Sequence, residues 1–161
     1  MDDRENPAAP SPSGYAFDTC GAIVWLSHLI ERFAQARLPD FGIPAGMSFS
    51  RALLILAVHN GQRDHASRMS DVAIDLGVTA RTITTMVDAL ERDGLIVRQP
   101  DPNDRRAIQL ELTTEGAALA PSLGRALESI GASILSPLSQ ADQTTLLMLL
   151  NRLIERDDPG R

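Results

Sequence analysis

Between residues 18 and 38 the apolar positions Ile23, Leu26, Ile30 and Phe33, with Val24 and Leu29 beside them, recur at helical spacing. Pro39, Gly42, Pro44 and Gly46 then break the pattern. It resumes after Ser48, a natural N-cap, through Leu53, Leu54, Leu56, Ala57 and Val58, and stops at Asn60-Gly61. Ser70 predicts the cap of a short third helix, with Asp71 at the favourable positive end of its dipole and Gly77 as its stop. Thr79 predicts the cap of a fourth, reaching Arg92 before Gly94. Two short helices joined through Gly77-Val78 form a helix-turn-helix candidate.

After Gly94 the period changes. Leu95-Ile96-Val97-Arg98 reads as a strand, DPND at 101–104 as a turn, and 107–112 alternates with Ile108, Leu110 and Leu112 on one face, so the pair predicts a β-hairpin. Thr113 or Thr114 opens a long helix to about Leu135 that contains Pro121 and is expected to kink there. Pro137 ends it. Ser139, with Asp142 three residues on, opens a last helix with the stripe Leu146, Leu149, Leu150 and Leu153.

The end segments are too apolar to stay exposed, and residues 18–38 and 114–156 are expected to pack together across a two-fold axis. The fold expected is mainly α with a small β-hairpin wing: a winged helix-turn-helix lobe flanked by N- and C-terminal dimerisation helices. The division is a disordered tail at 1–13, an N-terminal dimerisation helix and linker at 14–47, the winged helix-turn-helix lobe at 48–113, and C-terminal dimerisation helices at 114–161.

Composition narrows the function. The 161 residues contain one cysteine and three histidines without ligand spacing, and no nucleotide loop, HExxH or GxSxG. No catalytic residues, metal or cofactor are expected, and a small all-helical enzyme is disfavoured. No apolar run is long enough to span a membrane and no secretion signal is evident, so the expected location is the cytoplasm. The net charge of −6 looks wrong for a nucleic-acid binder, but residues 48–113 sum to only −1. A near-neutral sum can hide a basic face.

On helix 79–92 Ile83, Met86, Val87 and Leu90 form the inward stripe. The other side carries Arg81, Thr82, Thr85, Asp88 and Arg92, with Thr84 at the flank. A short, polar, threonine-rich N-terminal half suits entry into a DNA major groove, where Arg reaches guanine and Thr offers a hydroxyl and a methyl. A solvated surface helix would look the same. The hairpin tips the balance. Arg105 and Arg106 adjoin the turn, where they would repel each other unless phosphates or a narrow minor groove attract them, and Asp104 is placed to brace one of them.

These residues carry a resemblance. Residues 73–84, the stretch 90–98, DPNDRR at 101–106 and Leu112-Thr113 before Gly116 resemble the MarR family of transcription regulators. Its wing pattern, Asp-x-Arg followed by five residues and Leu-Thr, is matched by Asp104, Arg106, Leu112 and Thr113. The motif stretch covers about 70–116, and the helix order extends it to about 18–156. The resemblance implies an obligate homodimer on double-stranded DNA, with helix 79–92 in the major groove of an inverted repeat and Arg106, beside Arg105, in the minor groove. The candidate DNA-binding set is Ser70, Thr79, Arg81, Thr82, Thr84, Thr85, Asp104, Arg105 and Arg106.

It also implies a repressor released by a small aromatic or lipophilic effector. Trp25, His28, Phe33 and Met47 are the candidate ligand-binding residues, with core packing as the favoured competing account. Some members sense organic hydroperoxides through a cysteine near the position of Cys20. The tyrosines that accompany it there are not evident, since the one tyrosine is Tyr15, and a buried or incidental thiol is favoured. The alternatives are a winged-helix protein-interaction module and a thiol-based redox regulator acting through Cys20.

Overall fold

The computed structural model describes residues 19–61, 67–104 and 106–156, with side chains as far as 154. The tail at 1–13, Tyr15 and Arg105 lie outside the described residues. Helix α1, Thr19–Arg37, runs into a 3-10 turn, Leu38–Phe41, and is followed by α2, Phe49–Gly61. The two-residue strand β1, Ser67–Arg68, leads straight into α3, Met69–Asp75. Then come α4, Ala80–Arg92; β2, Ile96–Pro100; β3, Ile108–Leu112; α5, Thr114–Leu135; and α6, Gln140–Arg156.

The end of α3 shows why the sequence turns where it does. Gly77 adopts φ +62°, the left-handed region that glycine enters without a Cβ penalty. Its N–H donates to the Ile74 carbonyl at 2.9 Å, and the Val78 N–H donates to the Ala73 carbonyl at 2.9 Å. Those two bonds satisfy carbonyls that the helix end leaves open, and they swing the chain into α4. Thr79 then caps α4, its hydroxyl accepting from the Thr82 N–H at 3.1 Å. Ser48, Thr113 and Ser139 likewise accept N–H bonds from Arg51, Gly116 and Asp142.

Two expectations need correction. Ser70 does not cap α3: the helix starts one residue earlier with Arg68 at the cap position, and the Ser70 hydroxyl donates to the Asp71 carboxylate at 3.0 Å instead. The cause is β1, whose pairing carries the chain directly into the helix. The sheet is also larger than a hairpin. It has three antiparallel strands in the order β1-β3-β2, with Ser67 opposite Leu110 and Arg68 opposite Gln109. The hairpin register sets Ile96 against Leu112 and Pro100 against Ile108. Helix α5 continues through Pro121 without interruption.

One core serves the lobe and its flanks. Ile83, Val87 and Leu90 of α4 meet Leu54, Ile55 and Val58 of α2, Ile96 and Leu110 of the sheet, and Leu123 and Ala126 of α5. The core continues through Leu38 to Ala34, so α1 is tied to α5 within the chain. Helix α6 is different: no side chain of it as far as residue 154 is buried. Leu147, Met148, Leu149, Leu150, Leu153 and Ile154 are exposed, as are Ile23, Val24, Leu26 and Phe33 on the outer face of α1. Contiguous apolar surface of that kind marks an association site. No helix among the described residues is long and apolar enough to cross a membrane.

Candidate nucleic-acid interface

Every described member of the candidate set is exposed: Ser70, Thr79, Arg81, Thr82, Thr84, Thr85, Asp104 and Arg106. On α4 this follows from the buried stripe Ile83, Met86, Val87 and Leu90, which turns the polar face outward. The threonines are not equivalent. The Thr84 hydroxyl donates to the Ala80 carbonyl at 2.8 Å and Thr85 to the Arg81 carbonyl at 3.1 Å, leaving their oxygens able to accept. Thr79 and Thr82 share a bond of 2.9 Å between hydroxyls, and Thr79 is committed to its cap.

The arginines of the lobe fall into two groups. Arg51 pairs with Asp93 at 3.0 Å, Arg68 with Asp101 at 2.7 Å, and Arg98 with both Asp88 and Glu91 of α4. Arg81, Arg92 and Arg106 have no ion-pair partner among the described residues, and Arg92 lies at the C-terminal end of α4. A free, exposed guanidinium at the start of α4 and another at the wing are available to an external anion. The paired ones hold the lobe together; Arg98 ties β2 to α4.

The wing turn is built around a residue that sequence reasoning missed. Asp101 was read as part of a turn, yet it is only 2% exposed. One carboxylate oxygen accepts from the Asn103 N–H at 2.8 Å and the Asp104 N–H at 3.2 Å; the other accepts from Arg68 Nε at 2.7 Å. The Asn103 N–H does most to hold its carboxyl below the ordinary carboxylate range, against the opposing effect of burial, with Arg68 and Gln109 adding to the lowering. A depressed carboxyl stabilises the fold above its unfolded pKa and loses that contribution as pH falls through the folded one. The wing turn is therefore expected to stay intact through neutral and mildly acidic pH, with exchange of the Asn103 amide as the measurement. Asp104 braces its neighbour through the backbone: its carboxylate accepts from the Arg106 N–H at 3.0 Å and leaves the guanidinium free.

The four candidate ligand-binding residues are not brought together. Trp25 and His28 line one small surface depression, with Gly21 and Val24. Phe33 is exposed and packs under Arg37 at 5.6 Å, while Met47 is buried in the core. Core packing thus holds for Met47 alone. Trp25, His28 and Phe33 stay outside the core because no described residue of the chain covers the outer face of α1. Cys20 is exposed, which excludes the buried reading within the chain.

The model of the MarR family matches residues 51–108. The chain is 27% identical to the HTH-type transcriptional repressor YetL of Bacillus subtilis, over 81% of this chain and 73% of that one. It is 31% identical to the repressor NicR of Pseudomonas putida, over 60% of this chain and 61% of that one. It is 34% identical to the regulator PecS of Dickeya dadantii, over 55% and 54%. The match thus spans less than two thirds of NicR and of PecS. Among solved structures the chain is similar in fold to S. aureus MepR in a DNA complex, with a TM-score of 0.76, 22% identity, and coverage of 88% of this chain and 99% of that one. It is also similar to PcaV of Streptomyces coelicolor with its natural ligand, with a TM-score of 0.71, 22% identity, and coverage of 88% and 97%.

Proposed function

We propose that the chain, whose residues 51–108 match the model of the MarR family, is a regulator of that family that controls transcription by binding duplex DNA as a homodimer on an inverted repeat. The observation that carries the reading is the placement of two unpartnered, exposed arginines, Arg81 at the start of α4 and Arg106 on the wing, on a lobe whose Arg51, Arg68 and Arg98 are tied to carboxylates and whose other free arginine among the described residues, Arg92, lies at the far end of α4. Helix α4 enters the major groove by its N-terminal half, with Arg81, Thr82, Thr84 and Thr85 toward base edges. Arg106, with Arg105 beside it in sequence, lies in the flanking minor groove. Ser70 and Thr79 face the phosphates, and Asp104 sets the wing backbone. The exposed apolar faces of α1 and α6 join two copies, so the two α4 helices sit about one turn of DNA, ~34–36 Å, apart. The similarity to the repressors YetL and NicR supports repression; a small aromatic or lipophilic effector would enter beside Trp25 and His28.

The test is selection of bound duplex from a random pool, followed by titration of two variants at two salt concentrations. Arg106→Ala is expected to weaken binding across all sites and to lower the salt slope by about one unit per lost phosphate contact. Arg81→Ala is expected to relax discrimination at one base pair per half-site, by about 1–3 kcal/mol. Selected sequences without dyad symmetry would contradict the dimer reading. Unchanged affinity in Arg106→Ala would remove the wing from the mechanism.

Cys20 is not the switch in this proposal, because the tyrosine partners of thiol-sensing relatives have no evident counterpart. Cys20→Ser is expected to leave DNA binding and its response to peroxide unchanged in a gel-shift assay. Peroxide-triggered release that disappears in this variant would restore the redox reading.

A further inference from the structure

The register of the sheet puts Arg68 of β1 opposite Gln109 of β3, and Gln109 opposite Gln99 of β2. From that row the Arg68 side chain reaches past Gln109, over the width of the sheet, to the Asp101 carboxylate at 2.7 Å. The Gln109 side chain also favours the charged form of the same carboxylate. Asp101 in turn holds the N–H groups of Asn103 and Asp104, and the Asp104 carboxylate holds the N–H of Arg106. An unbroken chain of charge-assisted bonds therefore runs from the residue that precedes α3 to the backbone of the wing arginine. Asp71 and Asp104 also act on Arg68, both with attractive charge.

We propose that Arg68 and Asp101 form a clasp that fixes the wing turn against the helix-turn-helix, so that Arg106 is presented to DNA in one orientation. The inference rests on the DNA-binding reading above and deepens it by naming two positioning residues that need touch no DNA themselves. The physical reason is rigidity. A wing made of two strands alone is marginal and flexes. β1 adds a third strand only two residues long, whose backbone pairing is slight. The side-chain clasp makes the third strand an anchor, and preorganisation lowers the ordering cost of binding.

The experiment uses the full-length protein, the duplex that the wild type selects from a random pool, and the variants Arg68→Ala, Arg68→Lys and Asp101→Asn, each also combined with Arg106→Ala. Hydrogen exchange on the free protein is read first. The amides of Asn103, Asp104 and Arg106 are expected to exchange faster in Arg68→Ala, with those of α4 between Ile83 and Leu90 unchanged, which shows that the lobe stays folded. Affinity for the duplex is then expected to fall about fivefold to tenfold in Arg68→Ala and Asp101→Asn, and to recover in part in Arg68→Lys. In the Arg106→Ala background the same substitutions are expected to cost nothing further, because there is no wing side chain left to aim. Equal losses in both backgrounds would overturn the proposal, since Arg68 would then act on its own. Unchanged exchange in the wing turn would also overturn it. Faster wing exchange in a protein whose wild type selects no duplex would keep the clasp and overturn the DNA-binding reading instead.

Discussion

The double variant Leu149→Glu with Leu153→Glu is expected to be a monomer at micromolar concentration, with no measurable DNA binding. Both leucines are exposed on α6 in the single chain, at 46% and 54%, one helical turn apart on the same stripe. A two-fold contact uses each of them twice, so the variant removes four leucines from the interface. About half of each leucine remains to be buried, so at about 0.7–1.5 kcal/mol each the loss is roughly 3–6 kcal/mol, before the cost of seating charge in an apolar contact. A micromolar dimer is held by only about 8 kcal/mol. Sedimentation velocity reads the mass, and far-UV circular dichroism reads the helix that α6 forfeits when its partner is gone. A variant that sediments as the wild-type dimer would take α6 out of the interface.

Gly116→Ala is expected to cost the lobe about 2–4 kcal/mol. A Cβ at Gly116 would stand 2.1 Å from the carbonyl oxygen of Leu95 and 3.0 Å from its carbon, and both are backbone atoms that no rotamer change can remove. The same carbonyl accepts from the Thr113 N–H at 3.1 Å, while the Thr113 hydroxyl donates to the Gly94 carbonyl at 2.7 Å. The clash therefore falls on the joint where α4, β2 and the cap of α5 meet. At about 2–4 °C per kcal/mol for a chain of this size, melting should drop by roughly 5–15 °C. Gly124 supplies the control. It lies in the same helix with nothing within 4 Å of its missing Cβ, so Gly124→Ala should gain about 0.5–1 kcal/mol. If both variants melt with the wild type, the joint is not as tight as the distances indicate.

Much of this was legible in the chain, where local chemistry decides the outcome. The cap at Thr79, the stop at Gly77 and the stripe Ile83, Met86, Val87 and Leu90 each depend on residues within two turns of one another. The helix-turn-helix could be drawn from them alone. Thr113 and Ser139 were legible for the same reason. What was hidden depends on pairing across distance. Ser67–Arg68 is too short to alternate and becomes a strand only because β3 lies beside it. Asp101 has the sequence of an ordinary turn residue, and its burial follows from an arginine 33 positions earlier. Ser70 misled because its residue type favours a cap, while the strand before it sets the start of the helix. Trp25 and Phe33 misled in the opposite way: the periodicity of α1 is helical on both faces, and the described residues cover only one of them.

The stripe on α6 reaches beyond stability. A helix of 17 residues with no fully buried side chain as far as residue 154 gains little from its own chain, and most helical stability in proteins comes from packing an apolar face. In the dimer proposed above, order in this segment is a second-order event, formed at the rate at which two subunits meet, whereas the lobe folds at a rate set by its own sequence. A nascent subunit would stay sticky until it found a mate, and any chain with a similar stripe would compete for that place. Leu147, Leu149, Leu150, Leu153 and Ile154 would then be the positions at which one copy recognises another.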